Sequence, residues 1–296
     1  MKRVLITGSN SYIGTNFENW LSKWLDEYSV STLDLKNTDW KSIDFSNYDV
    51  VFHVAGIAHA DVGNVTKAVK ECYYKINTDL AIEVAVKAKQ SGVRQFIFMS
   101  SMIVYSGCKE KCISYKTVPK PFNFYGDSKW RADNGIRAMH DDNFNVVILR
   151  PPMIYGRGSK GNYPKLAKIA TNLPIFPKVE NKRSMLYIDN LCEFVKLMID
   201  NEESGVFFPQ NKEYSNTSSI VRMIAEVKGH KIWLIPGTNF IIKLMERFPG
   251  KIGKLATKAF GDSYYEMSMS EYKVEYCVNS LYESIELTEG KVYGSE

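Results

Sequence analysis

The sequence predicts an α/β fold, a doubly wound parallel sheet followed by a smaller, interwoven C-terminal region. Three observations predict it. Short apolar runs alternate with longer helical patterns through residues 1–150. A glycine-bearing turn follows the first apolar run directly. After Arg150 the alternation breaks up, and Pro151, Pro152, Gly156, Gly158, Gly161, Pro164, Pro174 and Pro177 punctuate the chain. Continuous apolar strands between helices indicate a parallel sheet covered on both faces.

The elements follow in order. Val4-Leu5-Ile6 reads as a buried strand, and Phe17, Trp20, Leu21, Trp24 and Leu25 recur at helical spacing after it. Val51 to Val54 is the next apolar strand, and Leu80 to Ser91 has the composition of a helix. Phe96-Ile97-Phe98, a helix over Tyr125 to His140 and the strand Val146 to Leu149 complete the first region. Residues 1–150 are thus expected to bind a dinucleotide. Residues 151–296 are expected to form mainly a substrate-binding region, with some segments returning to the first domain.

Composition narrows the classes. With 296 residues, 45% hydrophobic and 24% charged, the chain can bury a large core, which excludes disorder and collagen-like structure. A formal charge of +5 suits an anionic ligand and is too small to argue for a nucleic-acid partner. The five cysteines form no CxxC pair and offer no second pair for zinc, so reduced thiols and no metal are expected. The first apolar run is too short for a signal peptide, and no run of about 18 apolar residues is present. A cytoplasmic protein without a transmembrane segment is the expectation.

Gly8-Ser9-Asn10-Ser11-Tyr12-Ile13-Gly14 joins the first strand to the first helix. Backbone amides at such a helix start bind a pyrophosphate, and glycine lets the backbone approach it. Asp34 closes the next strand pattern, 20 residues past Gly14, where a carboxylate meets the ribose hydroxyls and repels a 2′-phosphate. NAD is therefore favoured over NADP, although Lys36 stands close by. Tyr125-Gly126-Asp127-Ser128-Lys129 places a phenol and an ammonium on one helix face. The ammonium is expected to lower the phenol's pKa from about 10 and make it a general acid/base. Ser100-Ser101 follows a strand at the sheet edge where ligands of open α/β sheets bind.

Thr7-Gly8-x-x-Ser11-x-x-Gly14 resembles the TGxxGxxG fingerprint of extended short-chain dehydrogenase/reductases, with Ser11 in place of the middle glycine. The resemblance runs from Met1 to about Leu191. It implies a Rossmann-type fold and a cofactor site of Gly8, Ser11, Tyr12, Ile13, Gly14, Asp34, the adenine-contacting pair Asp44 and Phe45, the loop Val54-Ala55-Gly56, Asn77, Tyr125 and Lys129. It makes Ser101, Tyr125 and Lys129 the catalytic set, with Ser101 bonding the reacting hydroxyl. Family dehydratases carry two acidic residues after that position. Here Met102 and Ile103 stand there, which turns the expectation away from dehydration. The segment Leu149 to Gly156 and the run Asn181 to Leu191 look most like hexosamine 4-epimerases and 4-ketoreductases of surface polysaccharide assembly. By that likeness Arg183 holds the substrate diphosphate, Asn162 contacts diphosphate or sugar, Met102 lines the sugar site, and Ser263 falls near a pocket-size position. The implied activity is NAD-dependent 4-epimerisation of a UDP-hexose or UDP-N-acetylhexosamine in a homodimer. The alternatives are a 4-ketoreductase using NAD(P)H and a non-catalytic NAD-binding regulator. The mixed apolar and basic stretch from Phe240 to Phe260 is read as substrate-domain helices with solvated lysines, or as a membrane-surface segment serving a lipid-linked substrate.

Overall fold

A computed structural model describes residues 1–36, 39–58, 65–238, 240 and 260–290. Its centre is a six-stranded sheet: β1 (Lys2–Thr7), β2 (Tyr28–Leu33), β3 (Val50–His53), β4 (Gln95–Met99), β5 (Asn145–Leu149) and β6 (Gly205–Phe207). The spatial order is β6-β5-β4-β3-β1-β2, and every neighbouring pair is parallel. Residues 39–49 form turns rather than a strand, so Val50–His53 follows β2 as the third strand of the sheet.

Side chains alternate across the sheet with the period of two that a strand imposes. Val4 and Ile6 enter a core with Phe17 and Leu21 of α1 (Tyr12–Leu21) and Leu191 and Val195 of α6 (Ile188–Asp200). Leu5 faces the other way, into a core with Val84 and Ala88 of α3 (Ala81–Gln90) and Ala132 and Ile136 of α4 (Phe124–Arg137). Each such large side chain, fully buried, contributes about 1.5–3 kcal/mol. Ala81, Ala85 and Ala88 of α3 are fully buried in that core.

The strand order changes direction between β1 and β3, so the crevice for a ligand opens beyond their carboxyl ends. The chain after Arg150 returns to this framework: β6 pairs with β5, and α6 packs against α1. Elsewhere it forms short parallel pairs, Met153–Tyr155 with Met185–Tyr187 and Ile175–Pro177 with Trp233–Ile235. A third pair, Cys112–Ile113 with Tyr264–Tyr265, ties the loop before α4 to the C-terminal part.

Two sequence expectations change. The first helix ends at Leu21, and Leu25, expected on its apolar face, is 72% exposed because residues 22–27 turn back toward β2. The helix beginning near Leu80 is preceded by a π-helical turn over Lys75–Leu80. Of the stretch from Phe240 to Phe260, only its two end residues are described, so the reading of its interior lies outside the described residues. Among the described residues, no helix is long and apolar enough to cross a membrane.

Candidate active site

The turn after β1 is shaped by backbone. Gly8 has φ +111°, and a Cβ on it would stand 2.8 Å from the Ala55 nitrogen. Only glycine lets β1 and the loop after β3 pass this closely. Ser11 caps α1: its Oγ accepts from the Gly14 amide at 3.1 Å. A Cβ on Gly14 would meet that Oγ at 2.7 Å. The serine in place of a glycine therefore fills a helix-capping role, and its hydroxyl hydrogen is left to donate elsewhere. The amides of Tyr12 and Ile13 belong to the first helical turn and have no intrahelical acceptor. The Tyr12 ring packs toward Gly156 instead, and its buried hydroxyl has no hydrogen-bond partner among the described residues.

Ala55 donates its amide to the Thr7 carbonyl at 2.9 Å, which fixes the loop after β3. Asn77, fully buried in the π-helical turn, clamps that loop from below. Its Oδ1 accepts from the Ile57 amide at 2.7 Å, and its Nδ2 donates to the Ile57 carbonyl at 3.0 Å and to Ser128 Oγ at 3.1 Å. Such turns recur at functional sites because they re-aim one side chain. A Cβ on Gly56 would meet Asn77 Oδ1 at 3.0 Å and Lys129 Nζ at 3.1 Å. Glycine at that point leaves the way open between the crevice and Lys129. Asp34 lies half-buried just beyond β2, with one oxygen taking the Lys36 amide at 2.9 Å.

Asp44 and Phe45 lie in the irregular stretch between β2 and β3. The Asp44 carboxylate is exposed and folded onto Ser46, whose amide and hydroxyl donate to it at 2.9 and 2.8 Å and hold its pKa down. Phe45 is 0% exposed in the core beneath, so its ring is not available to an adenine and only its backbone can face one.

Ser101, Tyr125 and Lys129 converge at the carboxyl end of β4. Ser101 caps a short 3-10 turn over Met102–Tyr105, accepting the Ile103 amide at 3.2 Å. Asn123 caps α4 through the Gly126 amide at 2.9 Å, so Tyr125 lies in the first turn and Lys129 one turn later. Ser101 faces Tyr125 closely enough to pull the phenol's pKa down. Lys129 is buried and donates to the Met99 carbonyl at 2.9 Å. Desolvation brings its pKa down to about 8.

The expected lowering of Tyr125 by Lys129 does not hold in the structure. Burial pushes the Tyr125 phenol up to about 12, Tyr73 adds to the rise, and Ser101 offsets part of it. The ammonium is turned to the Met99 carbonyl, and it does not offset the burial of the phenol one turn earlier on the same helix.

On the substrate side, Arg183 is half-buried and donates through Nη1 to the Gly261 carbonyl at 3.1 Å, while burial lowers its pKa. Its backbone bridges to Ser215 and Ser263. Ser263 Oγ approaches Met102 Sδ at 3.8 Å, so Arg183, Ser263 and Met102 form one connected wall beside Ser101. Asn162 is the first residue of α5 (Asn162–Asn172). Its helix is not one of the segments that form that wall.

Directly behind Ser101 lies a buried cluster that no sequence motif marks. Asp133 of α4 pairs with Arg150, and Ser100 and Tyr105 bond to the pair. Asp133 falls one helical turn after Lys129, the single local signal that pointed to it. Asp127 faces away, engaged by Tyr74 at 2.8 Å and Arg131 at 2.9 Å.

The NAD dependent epimerase/dehydratase family model matches residues 4–208. The chain belongs to that family. NAD is the cofactor of the family, and the glycine crossing at Gly8, the open first turn of α1, Asp34 and the unobstructed path past Gly56 fit it. Among curated relatives, the chain is 28% identical over 274 residues to a UDP-glucose 4-epimerase of Vibrio cholerae, covering 84% of this chain and 83% of the relative. It is 26% identical over 251 residues to an N-acetyl-α-D-glucosaminyl-diphospho-ditrans,octacis-undecaprenol 4-epimerase of Escherichia coli O157:H7, covering 77% and 73%. Among solved structures, a UDP-glucuronic acid 4-epimerase of Bacillus cereus in complex with NAD matches with TM-score 0.68 at 20% identity, over 97% of each chain. A dTDP-4-dehydrorhamnose reductase of Clostridium acetobutylicum matches with TM-score 0.72 at 18% identity, over 97% of this chain and 98% of that one. The two structural matches speak to the fold.

Proposed function

We propose that this protein inverts C4 of a diphosphate-linked hexose or N-acetylhexosamine, with UDP as the first carrier to test. The observation that carries the reading is the meeting of Ser101, Tyr125 and Lys129 with no unpaired carboxylate beside them among the described residues. Met102 and Ile103 are apolar, Asp127 is bonded outward, and Asp133 is locked to Arg150. An elimination needs an acid and a base beside the sugar; removal and return of one hydroxyl proton needs only the phenol.

Bound NAD supplies a hydride acceptor that later acts as donor, and it brings a positive charge to the site while oxidised. Gly8, Ser11, Tyr12, Ile13, Gly14 and Asp34 would hold its nucleotide half, with Val54, Ala55, Gly56 and Asn77 shaping the loop beside it. Tyr125, ionised beside the positive charge of the bound cofactor, would take the proton from the sugar 4-hydroxyl and return it after the 4-keto sugar has turned over. Ser101 hydrogen-bonds the same oxygen and steadies the charge that develops on it. Lys129 places an ammonium within the site and a donor for a ribose hydroxyl. Arg183 grips the diphosphate, for which a guanidinium fork is suited. Met102 and Ser263 border the sugar.

The chain is read as cytoplasmic, serving polysaccharide assembly as a homodimer. The test is cofactor content and turnover together. Protein purified without added nucleotide should carry near-stoichiometric NAD and interconvert the 4-epimers of a UDP-hexose without added cofactor. An empty protein that consumes NADPH with a 4-keto sugar would replace this reading with a 4-ketoreductase. Full cellular function in a Tyr125→Phe variant would replace it with a non-catalytic regulator.

A further inference from the structure

Behind Ser101 lies an ion pair out of contact with solvent. Arg150 Nε and Nη2 each donate to the Asp133 carboxylate at 2.8 Å, and the two side chains are 4% and 0% exposed. Three further bonds converge on it. Ser100 Oγ donates to Asp133 Oδ2 at 2.8 Å, Arg150 Nη1 donates to the Tyr105 hydroxyl at 2.7 Å, and Tyr265 donates to the Arg150 carbonyl at 2.8 Å. The guanidinium also lies 5.2 Å from the Trp130 ring. Next to it the Met102 amide donates to the Pro151 carbonyl at 2.9 Å.

An apolar cluster of the same volume is often as stable as a buried ion pair, so stability alone does not account for this one. What the pair gives is direction. A bidentate guanidinium–carboxylate fork fixes both partners in angle as well as distance. The partners here are the elements that must stay in register. Asp133 is on α4, two turns after Tyr125 and one after Lys129, while Ser100 and Tyr105 bracket the segment holding Ser101. Arg150 sits where β5 ends and the chain enters the substrate region.

We infer that Asp133 and Arg150 are positioning residues, a rigid brace that holds Ser101 against Tyr125 across the gap between β4 and α4. The inference rests on the roles given above to Ser101 and Tyr125. Neither Asp133 nor Arg150 touches substrate or cofactor. Each acts through its neighbours.

The experiment compares the full-length wild type with three variants, measuring Tm, kcat, KM and the pH profile of kcat. Asp133→Asn leaves the arginine unmatched and is expected to lower both Tm and kcat. The double variant Asp133→Leu/Arg150→Met replaces the pair by apolar volume and is expected to recover Tm. Its kcat should stay roughly 10–100-fold below wild type with KM nearly unchanged, since a misplacement near 1 Å costs on that order. Ser100→Ala keeps the pair and removes one tie, and roughly three- to tenfold in kcat is expected from the same effect. A folded double variant, or Ser100→Ala, with wild-type kcat and pH profile would overturn the brace. A substrate-free readout separates this from the reaction itself: 3-fluorotyrosine at position 125, followed by fluorine NMR, should titrate at higher pH in the double variant because the Ser101 contact is loosened. An unmoved titration overturns the brace. A moved titration in a protein whose wild type turns over no diphosphate sugar would sink the proposed reaction and keep the brace.

Discussion

The dinucleotide turn and the Ser101–Tyr125–Lys129 corner border one crevice, and they are built from different materials. At the turn, backbone does the shaping: Gly8 at φ +111°, the Ala55 amide on Thr7, and the first turn of α1 capped by Ser11. At the corner, side chains do it: a phenol pushed up to about 12, an ammonium brought down to about 8, and a buried pair behind them. A backbone site tolerates many side chains so long as the glycines stay. A side-chain site depends on partners that the chain brings from far away. The two halves should therefore break differently.

The largest effect is expected from Tyr125→Phe. Loss of a general acid/base costs roughly 10²–10⁴-fold, so kcat should fall by that much while bound NAD stays near the wild-type amount. Steady-state kinetics and released nucleotide measure the two. Loss of cofactor along with activity would mean that the Tyr125 hydroxyl is needed to retain the nucleotide. Gly8→Ala tests the other half. It forces a side chain into a left-handed backbone and against Ala55, and a loss of about 2 kcal/mol or more in stability is expected, together with most of the copurified cofactor.

Lys129→Met separates function from stability by a sign. The folded pKa of Lys129 is about 8, below its unfolded value of about 10.4. Below pH 8 both states carry the proton, and the folded state bears the full cost of the buried charge. Between about 8 and 10.4 the unfolded state binds more protons, so the cost fades as pH rises. The Tm of Lys129→Met relative to wild type should therefore be higher at pH 7 than at pH 10, while turnover is lost at both. An equal difference at the two pH values would mean that the ammonium is better solvated than its burial indicates. The smallest effect is Ser11→Ala, which removes a helix cap. It should cost about 1 kcal/mol by denaturant unfolding and only a few-fold in NAD affinity by titration.

The same contrast explains what the sequence made legible. Glycines at 8 and 14 and a carboxylate at 34 keep fixed spacings because a turn, a helix start and a strand end are local events. The strands and helices of the first half were visible for the same reason, in apolar runs such as Val146 to Leu149. Tyr125 and Lys129 were visible because one helical turn joins them. The brace was not. Asp133 and Arg150 are 17 residues apart, Tyr105 and Arg150 45, and only the folded sheet edge brings them together. That the Phe45 ring lies in the core was not visible, because a pair motif does not reveal which side chain points inward. The pKa of Tyr125 was misjudged because the spacing gives proximity to Lys129, whereas burial and the direction of the ammonium decide the shift.

The most direct test of the account follows a label on the sugar. UDP-hexose carrying deuterium on C4 should be converted to its 4-epimer with that deuterium still on C4, and turnover in D2O of unlabelled substrate should place no solvent deuterium there. That result is what transient oxidation and re-reduction of C4 requires, with Tyr125 handling only the hydroxyl proton. Loss of the label to solvent would contradict it, because it would mean that the carbon is deprotonated and that the phenol and its neighbours serve a different reaction.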